Sequence, residues 1–589
     1  FNWDAPILVS SHNPKRLYFA SQRVWKSKNR GDGWEPISGD LTLNQERMTF
    51  PYYDKSQSWD NAWDVGAMSN YNTITSLAES PKQEGLLYAG TDDGLIQVTE
   101  DEGANWKKIA LNSIKGLPAT PFVNDVRADL FDASVVYAAL DNHKYGDYKP
   151  YIIKSLDKGK SWKLINGDLP NKLLIWRLVQ DHINKDLLFA ATEFGVYFTS
   201  NGGENWVQLK GGMPTVPVRD IKIQRRENDL VAGSFGRGIF ILDDITPLRT
   251  FNKKMMSAEA TMFPVKTAHW YRQSSRVGSQ GDAEWIAKNP PFGANFTYYM
   301  ADKIKSKKDL RKAKEKKGDV KFPGWDALED EKRQDGPYIV LLIKDANGNV
   351  VNTIKGTNKK GFNRVNWRLT YPSKSGERLQ APRGRRGFRG GGVMVTPGVY
   401  SVTLAKRVDG IHTELQDPIL FSVKPLFDGA LPRKSYKEMD DFRDAAFAFQ
   451  QDLTSTNIAL SRSQKMIDAM LRAHNKATFP SNELFKQLND VKIALLDIDK
   501  ELHGDEIKDE IGERSNPTAS DGNSLGWRAL GNTYGPTDEH KGLLNRVQNQ
   551  LKKVKEKLAP IVNATLPKLG NDLKKTGAPW IEGQGLINN

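Results

Sequence analysis

Through the first 245 residues apolar and polar positions alternate in short runs, the period of half-buried β-strands. The runs come in pairs, as in LLYAGTDDGLIQVT and LLFAATEFGVYFTS, and one pattern follows each pair: Ser or Thr, any residue, Asp or Asn, any, Gly, two of any kind, Trp. Its copies are Ser27-Asn29-Gly31-Trp34, Thr99-Asp101-Gly103-Trp106, Ser155-Asp157-Gly159-Trp162 and Thr199-Asn201-Gly203-Trp206, each leading into a further short strand such as WKKIA or WVQL. Recurrence in register predicts a repeat architecture. The pattern itself predicts a tight hairpin. Asp or Asn accepts from backbone N–H groups just ahead, Gly supplies a positive φ, the hydroxyl closes a local bond and Trp folds back as an apolar lid.

The units fall near 4–38, 69–110, 121–166, 174–210 and 217–245, with a polar insertion of about 41–65 after the first. The last unit has three strand runs and no tryptophan turn. Residues 246–292 read as a linker. From 293 to 425 the runs FGANFTYYM, YIVLLIKD, VVNTIKG, FNRVNWRL, GVYSVTLAKRV and PILFSVKPL, with Asn347-Gly348 as a hairpin turn, predict an antiparallel sandwich of immunoglobulin or fibronectin type. A charged insertion at 302–334, helical or disordered, and a Gly/Arg loop at 382–392 interrupt it. From 433 to 589 the period turns helical, with helices expected from 433, over 481–503 and over 538–571, and a Gly/Asn/Ser/Pro-rich stretch at 504–537.

The four tryptophan turns resemble the Asp-box, or BNR repeat, which sialidases, xyloglucanases and sortilin-type receptors carry between the third and fourth strands of a propeller blade. The chain is most similar to large bacterial BNR-repeat, sortilin-like proteins, grouped with glycosyl hydrolases. The likeness lies in Asp141-Asn142-His143 with Asp147-Tyr148-Lys149-Pro150-Tyr151, in Thr192-Glu193-Phe194-Gly195, and in the run from Gly236 to Asp244. It implies a mainly β fold: about five blades of an Asp-box β-propeller, an immunoglobulin-like sandwich and a C-terminal α-helical region. Five blades opening at Phe1 do not make an obvious ring, so further blades are expected upstream of this sequence.

Composition narrows the chemistry. The chain has 589 residues, too many for one core, and no cysteine, which removes disulfides and thiol chemistry. No apolar run is long enough to span a membrane. The net charge of +14 favours an anionic surface or partner, but the basic residues are spread and no nucleic-acid motif accompanies them. Arg383, Arg385, Arg386 and Arg389 in the Gly-rich loop read as a flexible hairpin tip, so no nucleic acid is expected.

In a propeller of this kind the tryptophan turns lie opposite the ligand side, so their residues are expected to be structural. The ligand side is set by the second-to-third strand turns and the starts of the inner strands. Those positions carry Asp92, Asp93, the loop 141–151 with His143 and Asp147, Glu193, Phe194, Phe235 and Arg237, with Trp176, Arg177, Arg219 and Asp220 at the inner-strand entrances. The plainer reading is that Arg and acid pair with each other and fix adjacent blades. His143 would need a carboxylate partner to act on protons, and Asp147 is near in sequence. No second His stands at ligand spacing, so no metal is expected, nor any cofactor. Sialidase chemistry needs three Arg, a Tyr nucleophile and an acid, of which Arg177 and Arg219 supply two. Xyloglucanase chemistry needs paired carboxylates, and no such pair is assigned.

The expectation is therefore an extracytoplasmic scaffold, secreted or at the outer membrane, that binds protein or peptide through its propeller, with an outer-membrane complex and the upstream part of the same protein as partners. It lacks the Cys-rich module of eukaryotic sortilins. The rival is a glycoside hydrolase or glycan-binding propeller, for which Trp176, Phe194 and Phe235 would form the platform. A purely structural subunit is a third reading.

Overall fold

The computed structural model describes residues 1–46, 71–273, 287–372, 392–513 and 516–585, together with a few positions between these stretches. Most of the 41–65 insertion and all four arginines of the Gly-rich loop lie outside the described residues. The chain forms two compact units, Phe1–Ser257 and Ala258–Asn589.

The first unit is a series of propeller blades. Four antiparallel sheets have four strands in simple sequence order, and a fifth has three. Blade 1 runs from Ile7–Val9 to Glu35–Pro36, blade 2 from Ile74–Glu79 to Lys107–Ala110, blade 3 from Phe122–Ala128 to Lys163–Leu164, and blade 4 from Ile175–Gln180 to Val207–Gln208. Blade 5 comprises Val218–Gln224, Asp229–Ser234 and Ile239–Leu242. The central strands of blades 2 to 4 are buried on both sides because each of these sheets is sandwiched by its neighbours. Tyr18, Ala20 and Val24 meet Ile74, Leu77 and Leu87 between blades 1 and 2, and equivalent layers bury Val123 and Tyr151, then Leu188 and Trp206, then Phe198 and Ile221 between the later pairs.

The four tryptophan turns share one geometry. In each, the Ser or Thr hydroxyl donates to the Asp or Asn oxygen at 2.7–2.9 Å, and the Gly N–H donates back to that hydroxyl at 2.8–3.0 Å. The same Asp or Asn oxygen accepts a backbone N–H four residues on at 2.8–3.1 Å. The turn also grips its neighbour, which local pattern does not reveal. Trp106 and Trp206 donate their indole N–H to Ile37 and Ile165 of the preceding blade, at 3.0 and 3.1 Å. Trp162 instead donates to Gly159 of its own turn at 2.9 Å. Gly103, Gly159 and Gly203 press against Ile37, Ile109 and Ile165, so closely that a Cβ would fall within 2.9 Å of each.

The second unit opens earlier than the alternation suggests. Residues 246–292, expected as a linker, contain Ala260–Met262 and Ala268–Trp270, which join the two sheets of the sandwich. At three residues each, these strands are too short to show a period. The smaller sheet sets Ala294–Met300 between Ala260–Met262 and Gly361–Trp367. The larger is ordered Ala268–Trp270, Ile419–Pro425, Gly398–Val408, Tyr338–Asp345, Val350–Gly356, with Ile411–Glu414 paired to Gly398–Val408. Trp367, Phe296 and Phe421 fill the space between them.

The charged insertion is two ordered helices, Lys307–Glu315 and Trp325–Arg333. The helical region is built on Tyr436–His474, Asn482–His503 and Asp538–Pro560, their apolar stripes meeting in one core. The last continues through a π-turn at Ile561–Thr565 into Leu566–Lys575, since Pro567 can donate no helical hydrogen bond.

Candidate ligand-binding face

Strand register divides each blade into two ends. Phe122 pairs with Asp141, Ile175 with Thr192 and Val218 with Ser234, so the inner-strand entrances and the second-to-third strand turns share one end. Val136 pairs with Ser155 and Leu188 with Thr199, which puts the tryptophan turns at the other.

At the first end, blades 2 to 5 repeat one device. The register slips between Ile74 and Ser76, Val123 and Asp125, Ile175 and Arg177, and Val218 and Asp220, leaving Thr75, Asn124, Trp176 and Arg219 as bulged residues. A bulge re-aims side chains, and here it aims them at the next blade. Thr75 donates to the Val123 carbonyl at 2.6 Å, Asn124 donates to the Ile175 carbonyl at 2.8 Å, and the Arg219 guanidinium stacks 3.7 Å above the Trp176 ring. One residue further on, Ser76 accepts the Val126 N–H at 2.8 Å and Asp125 accepts the Leu178 N–H at 2.9 Å. Arg177 donates to the Asn124 carbonyl and lies 4.0 Å from Asp125.

Several candidates from the sequence are therefore engaged with the protein. Asp92 accepts from the Thr73 N–H and hydroxyl at 2.8 and 2.6 Å, and Asp93 accepts from Thr91 and from the Leu43 N–H. Both are buried, and burial outweighs these bonds, raising the Asp92 pKa to about 6 and that of Asp93 in the same direction. His143 is paired, but with Asp141 rather than Asp147: its Nδ1 lies 2.5 Å from the Asp141 carboxylate, whose other oxygen accepts from Asn124 at 2.7 Å. Asp147 instead accepts the Tyr151 hydroxyl at 2.6 Å. Glu193 accepts the Trp176 indole N–H at 3.1 Å. Trp176, with His143 at its edge and Arg219 on its face, is only 7% exposed and offers no open platform. Phe194 and Phe235 are exposed at 46% and 73%, and Arg237 is exposed beside Phe235.

Beyond the bulges the inner strands carry a charged stripe. Asp125 bonds Arg127 at 2.9 Å, and blade 5 repeats the spacing with Asp220 and Lys222. Asp220 is exposed, with one oxygen accepting the Ile221 N–H at 2.9 Å, and Arg219 and Lys222 make no ion pair among the described residues. Lys222 reaches solvent, but the protein packed around it lowers its pKa by desolvation first and by the nearby Arg127 second. Sequence reasoning missed Asn124, Asp125, Arg127 and Lys222, and placed Asp141 in the ligand-side loop without pairing it to His143. The repeated acid-apolar-base triplets Asp125-Val126-Arg127 and Asp220-Ile221-Lys222 were the available signal. The stripe can bind and orient charged groups, and His143, with Asp141 holding Nδ1, keeps Nε2 for an incoming partner. Among the described residues no group of three His, Asp or Glu could hold a metal ion.

No family model and no curated protein matches the chain. Among solved structures it is similar to a GH74 enzyme of Niastella koreensis, at 12% identity and a TM-score of 0.30 over 41% of this chain and 35% of that one. It is similar to PorZ, a bacterial surface component of the type-IX secretion system of Porphyromonas gingivalis, at 12% identity and 0.29 over 71% and 51%. It is also similar to YCF48 bound to D1 peptide, at 14% identity and 0.27 over 41% and 66%. The matches span about a third to two-thirds of those proteins' own lengths. The propeller architecture follows from strand order and the packing between blades.

Proposed function

We propose that the propeller unit is a binding scaffold that holds a segment of protein or peptide against the inner-strand stripe and the turns at the same end. One observation carries this reading. Among the described residues Asp92, Asp93, Asp125, Asp141, Asp147 and Glu193 are committed to internal bonds, while Asp220 stands alone in the open and Arg219, Lys222, Phe194 and Phe235 are left accessible. Such a surface supplies charge, stacking and edge contacts but no pair of free acids flanking a cleft, as hydrolysis of a sugar bond requires.

The setting we propose is extracytoplasmic, at the cell surface or outer membrane, with the sandwich and helices attaching the protein to a larger complex. A further partner, we propose, covers the leading side of blade 1. On the leading side of blade 1, Ile7 is 69% and Trp34 40% exposed, whereas the internal blade faces are covered.

A glycoside hydrolase or glycan-binding propeller remains the second reading, favoured by Asp92, whose pKa of about 6 suits a proton donor. Cross-linking of the native protein followed by mass spectrometry tests the choice. Peptide adducts at the 193–194 and 235–237 turns support the scaffold. Turnover of a glycan that is abolished by Asp92→Asn would replace it with the enzyme.

A further inference from the structure

The insertion at 302–334 belongs to neither sheet of the sandwich, yet it is firmly built. Its first helix, Lys307–Glu315, starts from a capping box in which Ser306 and Asp309 satisfy each other's backbone N–H groups. Arg311 ties it to the second helix, Trp325–Arg333, through both oxygens of Glu331 at 2.7 and 3.0 Å. The base is anchored too: Asn358 bonds Ile304 in both directions at 2.8 and 2.9 Å, and Gln334 donates to Asp409 at 2.6 Å.

This rigid hairpin presents an apolar tip to solvent. Val320, Phe322 and Trp325 are 76%, 65% and 78% exposed, and the two aromatic rings meet edge-to-face at 5.2 Å. A protein that spends a capping box and a bidentate ion pair on a support would not gain stability from leaving two aromatics in water. The charge is basic on the first helix and the loop after it, while the second helix carries Asp326, Glu329, Asp330 and Glu331. Residues 303–321 hold nine Lys and one Arg against three acids. Near the base, acids pair with Lys303, Lys305, Lys307 and Arg311, whereas Asp319 and Asp326 make no ion pair among the described residues. Lys308, Lys312, Lys314, Lys316, Lys317 and Lys321 are exposed and make no ion pair among the described residues.

Trp and Phe beside unpaired lysines are what an anionic bilayer surface selects, the rings seating among headgroups and the ammonium groups facing phosphates. We propose that the 316–325 tip docks the protein on an anionic lipid surface, Phe322 and Trp325 entering the headgroup layer and the flanking lysines holding it there. No helix among the described residues is long and apolar enough to cross a membrane, so this attachment is peripheral. A small apolar tip and a handful of lysines give reversible binding that salt weakens.

Co-sedimentation of the full chain with vesicles of phosphatidylcholine alone, and of phosphatidylcholine with phosphatidylglycerol, tests this. The wild-type chain is expected to partition onto the anionic vesicles only. Phe322→Ser with Trp325→Ser, and separately Lys316→Glu with Lys317→Glu, each reduce partitioning roughly tenfold. Lys465→Glu with Lys486→Glu, an equal charge change on exposed helix positions, leaves it nearly intact. These are surface positions, so unchanged circular dichroism is expected of all variants. Failure to bind anionic vesicles overturns the proposal and leaves the tip to a protein partner. Equal losses in the tip and control variants overturn it as well, since the net charge of the chain would then be the cause.

Discussion

Asp92 shows what burial does to a single group. Its carboxylate sits in the turn of blade 2, bonded to both Thr73 donors, and is still harder to ionise than in water. A folded pKa above the unfolded one means that the folded state holds the proton more tightly. The stability this contributes is fully present below about pH 4 and is lost as pH rises through about 6. We expect Asp92→Asn to stabilise the first unit by about 2 kcal/mol at pH 7.5 and to flatten the dependence between pH 4 and 6, read as the urea midpoint against pH. A wild-type midpoint that rises with pH across this interval, and falls on substitution, would refute the assignment.

The blade joint is the element that gives the tryptophan turn its meaning. The turn's internal bonds were legible in the sequence, because Asx-turn chemistry is local to a few residues. Its grip on Ile37, Ile109 and Ile165 was not, since the partners stand some forty to seventy positions away and no period links them. The same holds for the site. Trp176 and Arg219 were singled out from their place at strand entrances, but their stacking follows from paired bulges that only the register reveals. Gly31 and Gly103 separate the local part from the joint. Both have φ near +100°, but a Cβ on Gly31 finds nothing closer than 3.8 Å, whereas on Gly103 it would lie 2.4 Å from the Ile37 carbonyl oxygen. Gly31→Ala should therefore cost only the backbone term, about 1 kcal/mol, and Gly103→Ala about 3 kcal/mol or more. Chemical denaturation of the two variants checks it; equal losses would mean that the glycine serves the turn alone.

At the scale of the molecule, the first unit contains a row of alike sheets whose two outermost members are incompletely covered. Stacking continues only while each sheet meets another, and blade 5 departs from the pattern twice: among the described residues it has no fourth strand, and its last strand, Ile239–Leu242, leaves Ile239 and Ile241 at 70% and 60% exposure. In blade 4 the corresponding Val196 and Phe198 are buried against blade 5. An open edge strand with apolar side chains is a template for pairing with another chain, because its unpaired backbone groups and its methyls are satisfied by the same event. Isolated protein should consequently self-associate as concentration rises. Ile241→Lys should suppress that association without a matching loss of stability, since the side chain removed packs little in the fold and the ammonium penalises only the paired state. Light scattering against concentration should fall for the variant while the thermal midpoint moves by no more than about 2 °C. A variant that associates as readily as the parent would place the sticky surface elsewhere, and the leading side of blade 1, with Ile7 and Trp34, would be the next to test.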